Sequence, residues 1–292
     1  MRSLIKFFVL TFVVSWILWI AAAIISGGTF AADPTAPSSS LRLISGGLVL
    51  FGVFAPALVA LALTAGAEGR AGVKALLGRI LNWRVNAGWY IFAVGYFAAI
   101  KIAVAIVYRI ATGAWPPFGQ VPFYIMLVAI IFSTPVQAGE EIGWRGFALP
   151  RLAKQFGLGN ASIILGVIWA CWHLPFFFIP GSDNAGQSFP VYLLAVTGLS
   201  VALAWVYWRT NLSLLLTMLM HAAINNTAGI VTSPASTTNP LALRTSLIAW
   251  LTAGLSWVGA GYLLMRMRGG SFVCRNGSPQ PDLLQRQDSN KL

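Results

Sequence analysis

Apolar residues run in long unbroken stretches along this chain, and polar residues gather between them. A stretch of about 18 or more apolar residues is long enough for a helix to cross the hydrocarbon core of a bilayer. About eight such stretches are read: Leu4–Ile25, Gly47–Ala65, Trp89–Ile110, Val121–Gly139, Ala161–Ile179, Val191–Trp208, Leu212–Ile230 and Leu247–Met265. The pattern predicts an all-α protein, a polytopic transmembrane bundle of about eight spanning helices. Arg2 and Lys6 at the first stretch resemble the start of a signal peptide. Its apolar core is longer than the about 7–15 residues of such a segment, so it reads as an anchor.

The cations between the stretches set an orientation. Arg2 and Lys6 begin the first. Arg70, Lys74, Arg79 and Arg84 lie between the second and third, and Arg145, Arg151 and Lys154 between the fourth and fifth. Arg209 follows the sixth, and Arg266, Arg268, Arg275, Arg286 and Lys291 follow the eighth. The alternate connections hold only Arg42, Arg244 and Arg109, with Asp33 and Asp183. Positively charged loops stay on the cytoplasmic side, so an integral multi-pass protein of a bacterial or archaeal-type cell membrane with both termini cytoplasmic is expected. Val73–Trp83 reads as a short basic amphipathic helix on that surface. Thr29–Ser40 reads as an outer loop, residues 1–268 as a single membrane domain and 269–292 as a disordered cytoplasmic tail.

Composition agrees. The chain of 292 residues is 58% hydrophobic and 9% charged. A soluble domain carries about 25% charged residues, and a disordered chain has low hydrophobicity, so both classes are excluded. The net charge of +12 is spread along the loops and comes with no nucleic-acid-binding signature, so no nucleic-acid partner is expected. Cys171 and Cys274 stand far apart, without metal-ligand or redox spacing.

The candidate chemistry lies where polar residues enter the apolar stretches. Of seven acidic residues, Asp33, Glu68, Asp183, Asp282 and Asp288 fall in connections or the tail, and the other two, Glu140 and Glu141, are adjacent. The only two histidines, His173 and His221, both lie within predicted spans. Ionisable groups at membrane depth are costly and mark function by default. Lys101 also lies within a span, but has no polar partner at helical spacing and reads as a structural charge facing the bundle. Residues four apart share a helix face: Glu141 with Arg145, Trp169 with His173, His221 with Asn225. Lipid cannot solvate such faces, so they turn into the bundle. If Arg145 pairs with Glu141, Glu140, turned by about 100°, is free to point elsewhere. A carboxylate left unpaired in a low-dielectric site is suited to act as a general base on water. Each feature also has a plain reading: the acidic pair as interfacial charge, Arg145 as an ordinary loop cation, each histidine as a packed helix-to-helix hydrogen bond. Trp169 and Trp172 read as packing aromatics, and Asn226 beside Asn225 is equally able to serve.

Taken in order, the residues resemble a known family. Glu140-Glu-Ile-Gly-Trp-Arg145 resembles the Glu-Glu-x-x-x-Arg motif of the CPBP intramembrane proteases, also called the type II CAAX prenyl endopeptidase or Abi family. Trp169-Ala-Cys-Trp-His173 resembles its aromatic-x-x-x-His motif, with Trp where Phe is commoner. His221-Ala-Ala-Ile-Asn225 resembles His-x-x-x-Asn. The motif core is residues 137–226. The resemblance implies an eight-helix bundle that hydrolyses a peptide bond near the membrane surface. Glu140 would activate the attacking water, with His173 helping to hold or deprotonate it. His221 and Asn225 would donate to the oxyanion, while Glu141 and Arg145 orient the site. The substrate would be a peptide or protein, C-terminally prenylated in the best-known cases.

No cofactor is required by this reading. The family is often described as metalloproteases, and Zn²⁺ on Glu140, His173 and His221 with a water in the fourth position is the alternative. The His-Glu-x-x-His spacing is absent from the chain. Rival functions are a transporter or proton relay using the same Glu and His, a haem protein with the two histidines as axial ligands, and a catalytically silent immunity or scaffold protein. One tension stands out. If the fourth span ends near Gly139 and the fifth starts near Ala161, His173 lies about 18 Å deeper than Glu140. A helix continuing past Glu140, kinked at Pro135, would remove the mismatch, with the site opening towards the cytoplasmic side.

Overall fold

The computed structural model describes residues 2–30, 39–234 and 238–268, with two short strands in the tail. Nine α-helices are described: α1 (Arg2–Ile25), α2 (Ser39–Gly78), α3 (Ala87–Thr112), α4 (Phe123–Ser133), α5 (Ala138–Glu141), α6 (Leu149–Trp172), α7 (Phe189–Arg209), α8 (Leu214–Thr227) and α9 (Leu247–Arg266). The strands, Phe272–Arg275 and Ser278–Pro281, pair antiparallel. Most of the expected outer loop at Thr29–Ser40 and most of the tail after residue 268 lie outside the described residues.

Each apolar stretch becomes helix, but the count differs from about eight. Among the described residues, six stretches are long and apolar enough to cross a membrane, and Leu214–Ile230 is apolar but shorter. The discrepancy comes mainly from Phe123–Trp172, a run of helical segments of 50 residues, kinked at Gly157, that contains two expected spans. The protein is a multi-pass membrane protein. Its lipid-facing positions are apolar, as at Ile91, Ile110 and Phe132, which are 73%, 79% and 78% exposed. In water such a surface would drive aggregation, whereas in lipid it costs nothing.

Two glycines divide the longest helices. Gly69 has φ 64° within α2, and Gly157 has φ 74° within α6. Only glycine reaches this region freely. The segment beyond Gly69, helical as far as Leu81, covers most of the basic helix expected at Val73–Trp83. It is joined to the span and tucked against the bundle, with Leu76 buried. Gly157 starts the fifth crossing at Leu158, close to the expected Ala161.

α7 is the central helix, buried without interruption from Val196 to Trp208. α6 and α9 pack closely against it through glycine. A Cβ on Gly166 would lie 2.8 Å from Cα of Thr197, and one on Gly198 3.1 Å from Ser256. Small residues let backbones approach in membranes, where packing rather than water drives association. α1 lies along α2, with Ser15 donating to the Gly52 carbonyl and the Trp19 indole to that of Val49. Lys101 is buried in α3, as expected of a charge facing the bundle.

Candidate active site

The helix does run on past Glu140. Pro135 lies in a 3₁₀ turn, Thr134–Gln137, followed by α5 and then by a π-helical segment, Ile142–Ala148. Proline removes one backbone donor and favours such a tightened turn. A π-helical segment is wider and frequently sits at functional sites. Two cations close its end: Arg79 donates to the Gly146 carbonyl and the Tyr207 hydroxyl, and Arg151 donates to the Phe147 carbonyl and to Glu68. Arg79, Arg145 and Arg151 therefore act in the fold as well as in the charge pattern read from the sequence.

Two more glycines set how near α2 comes to the acidic pair. A Cβ on Gly139 would stand 2.9 Å from the Phe54 ring, and one on Gly143 2.6 Å from Pro56. Any larger residue would push α2 from the segment carrying Glu140 and Glu141.

Glu141 and Arg145 are both fully buried and joined across 2.7 Å. Nδ1 of His221 lies 2.9 Å from the same oxygen of Glu141. The Glu141 oxygen accepts from Arg145, so His221 donates to it from Nδ1, which leaves Nε2 unengaged. Glu140, 6% exposed, points elsewhere, as the offset on the helix predicted. Its Oε2 accepts from the Trp169 indole at 2.7 Å. The levels of Glu140 and Trp169 therefore match, and the expected mismatch of depth does not arise.

Trp169 is the residue whose part the sequence concealed. Its ring carries the Arg145 guanidinium at 4.4 Å and meets the His221 ring edge-on at 5.1 Å. Its carbonyl oxygen lies 2.9 Å from Nδ1 of His173. A carbonyl only accepts, so His173 is protonated at Nδ1 and exposes Nε2. Trp172 and Tyr192 hold the His173 ring at centroid distances of 4.8 and 5.8 Å. Spacing along one helix gave Trp169 a place beside His173, but nothing in the sequence marked Tyr192. Glu140, Glu141, Arg145, His173 and His221 thus form one cluster around Trp169. Asn225 lies one turn beyond His221 and is exposed, whereas Asn226 is spent on the Ser133 hydroxyl and the Ala222 carbonyl.

The site has a closed end and an open end. Every residue from Glu141 to Pro150 is buried. The N-terminal end of α1 packs there, with Phe7 5.0 Å from Phe147 and 5.5 Å from Trp144. At the opposite end His173 is half-buried and Asn225 exposed, where α6 and α8 terminate. His173 and Asn225, the more accessible of these residues, thus lie at the end away from the cationic loops. α6 and α8 both run from the cationic end towards their His and Asn residues, which places those residues at the far end.

Among the described residues, no three His, Cys, Asp or Glu side chains come together as a metal-ligand group. One oxygen of Glu140 is held by Trp169, and Nδ1 of each histidine is engaged.

Comparison with known proteins bears on the same segment. A family model described as type II CAAX prenyl endopeptidase, Rce1-like, matches residues 120–227. "CAAX prenyl protease 2" of Methanococcus maripaludis is 26% identical over 230 residues, covering 75% of this chain and 81% of the relative. The matched residues, 120–227, include every motif residue read from the sequence.

Proposed function

We propose that the protein is an intramembrane endopeptidase, similar to the CAAX prenyl proteases, that hydrolyses a peptide bond with a water activated by Glu140. The observation that carries this reading is the Glu140 carboxylate, buried and bound at one oxygen only, among the free Nε2 atoms of His173 and His221. Its second oxygen takes a proton from water while Nε2 of His173 accepts from the same water and holds it. The water oxygen attacks the scissile carbonyl carbon, and the proton on Glu140 then passes to the leaving amine.

The negative charge moves to the carbonyl oxygen. Asn225 donates to it from the side-chain amide, and His221 from Nε2 in its doubly protonated form. Glu141 holds the ring through Nδ1 and so fixes where Nε2 points. Removing one such donor costs about 100- to 1,000-fold in turnover in enzymes of this type. All these steps use the chain's own groups.

The cationic loops and both termini are assigned to the cytoplasmic side by the positive-inside rule. Peptides then reach Glu140 from the other membrane face, through the end at which α6 and α8 terminate. The family match supports peptide hydrolysis over transport, and retention of every motif residue favours an active enzyme over a silent scaffold.

The test compares peptide termini in membranes from cells expressing wild type or Glu140→Gln at matched levels. Termini formed only with wild type are expected. Those ending at a prenylated cysteine would give this protein the specificity in its relative's name. Identical termini in the two samples, with a purified protein that moves ions across vesicles, would replace the protease by the transporter.

A further inference from the structure

We infer that Trp169 is a positioning residue for Glu140, holding the carboxylate through the indole N–H so that one defined oxygen faces the water. The inference rests on the proposed role of Glu140 and adds a residue that acts through it. A glutamate has three side-chain torsions, and a base that wanders loses the alignment on which proton transfer depends. The indole Nε1 lies 2.7 Å from Oε2 of Glu140, the length of a strong charge-assisted hydrogen bond. Oε2 is thereby committed, and Oε1 is the oxygen left for the proton.

The rest of Trp169 fixes the donor itself. Its ring lies beneath the Arg145 guanidinium, its edge meets His221, and its carbonyl sets the Nδ1 proton of His173. The residue is 3% exposed, so water does not compete for the indole N–H. One side chain thus couples the base, the second proton acceptor and the charge that neutralises Glu141. Phenylalanine at this position would keep the stacking on Arg145 and the edge contact with His221. It would lack only the donor.

This makes Trp169→Phe an informative variant. In purified protein it should lower kcat about 10- to 100-fold, the effect of one hydrogen bond to a charged group, with KM changed less than about twofold. Trp208→Phe is the packing control. Trp208 is buried in α7 away from the cluster, and its indole nitrogen has no hydrogen-bond partner. Both variants should lose similar thermal stability, but only Trp169→Phe should show the selective fall in kcat.

A second measurement needs no activity. In a ¹⁵N indole spectrum of the full chain in detergent, the Trp169 resonance is assigned by its disappearance in Trp169→Phe. Its proton should lie downfield in wild type and move upfield in Glu140→Gln, where a neutral amide oxygen replaces the carboxylate. If Trp169→Phe does not fold, Trp169→His assigns the resonance instead. A Trp169 resonance unmoved by Glu140→Gln, or wild-type kcat in Trp169→Phe, overturns the inference. Wild-type turnover in Glu140→Gln is a different result: it removes Glu140 as the base and the protease mechanism with it.

Discussion

The imidazole of His221 donates its Nδ1 proton to Oε1 of Glu141 across 2.9 Å, inside a bundle where both side chains are buried. Eighty positions separate the two residues in the chain. The same oxygen accepts a hydrogen bond from Arg145 at 2.7 Å, so one carboxylate ties α8 to the π-helical segment. Glu141 is thus a junction and Glu140 beside it a reactive group. Two neighbouring residues of one type do different work because the helix turns them apart.

Breaking this junction from one side should harm the fold. Arg145→Ala leaves a buried carboxylate without its cation, at a cost of about 3–5 kcal/mol. Lower yield and a lower melting temperature in detergent are expected, ahead of any effect on turnover. The double variant Glu141→Gln/Arg145→Leu removes both charges and should recover part of the loss. A single variant as stable as wild type would show that the pair is not needed for folding.

The two histidines should separate from the junction in their kinetics. His173→Ala should lower turnover by about 100-fold or more with a near-normal melting temperature, because its partners are a backbone carbonyl and aromatic rings. His221→Ala should lower turnover at least as far and also lower stability, since it leaves Glu141 with one partner fewer. The measurement is a melting curve beside a peptide-cleavage assay for each variant.

Backbone spacing predicts a stability difference between glycines. A methyl group on Gly143 would stand 2.6 Å from Pro56 and must push α2 away, so Gly143→Ala should cost about 1–3 kcal/mol. Gly66→Ala, on the same α2 helix, meets nothing within 4 Å and should be neutral or mildly stabilising. Equal melting temperatures for the two variants would contradict the close approach of α2 to the acidic segment.

The open end of the site and the N-terminus should be reached from opposite faces of the membrane. In a background with Cys171 and Cys274 replaced by Ser, Asn225→Cys should react with an impermeant maleimide only from the face opposite an N-terminal tag. With the tag cytoplasmic, labelling from outside is expected. Labelling from the same face as the tag would reverse the assignment of the open end.

Proteolysis should survive chelation. The proposed chemistry uses Glu140, His173, His221 and Asn225 alone, so cleavage by purified protein should be unchanged after dialysis against a strong zinc chelator. Loss of cleavage restored by zinc would call for a different arrangement of the same side chains.

Much of this was legible in the chain because the bilayer simplifies the problem. A membrane helix must satisfy its own backbone hydrogen bonds, so the apolar stretches could only become helices. Every stretch did. The number of crossings was less secure, because the sequence between Gly139 and Ala161 looks like a loop by polarity yet continues as helix. Its charges, Glu141 and Arg145, are compensated by each other and by His221, which hydropathy does not register. The pairing of Glu141 with Arg145 followed from spacing alone, because residues four apart on a helix are neighbours. The indole of Trp169 on Glu140 did not, because its partners lie 29 residues apart and meet only when two crossings pack side by side.

The sequence by itself determined which residues are helical, which end of each helix carries cations, and which few ionisable groups must turn inwards. These follow from local periodicity and from the energy of placing a charge in lipid. Tertiary structure decided which groups meet. Glycines at 139, 143, 166 and 198 let four backbones approach, and the approach set the level of Glu140 against Trp169, the free nitrogen of each histidine and the open end of the site. Those relations depend on distances between helices far apart in the chain, which are fixed only when the side chains pack.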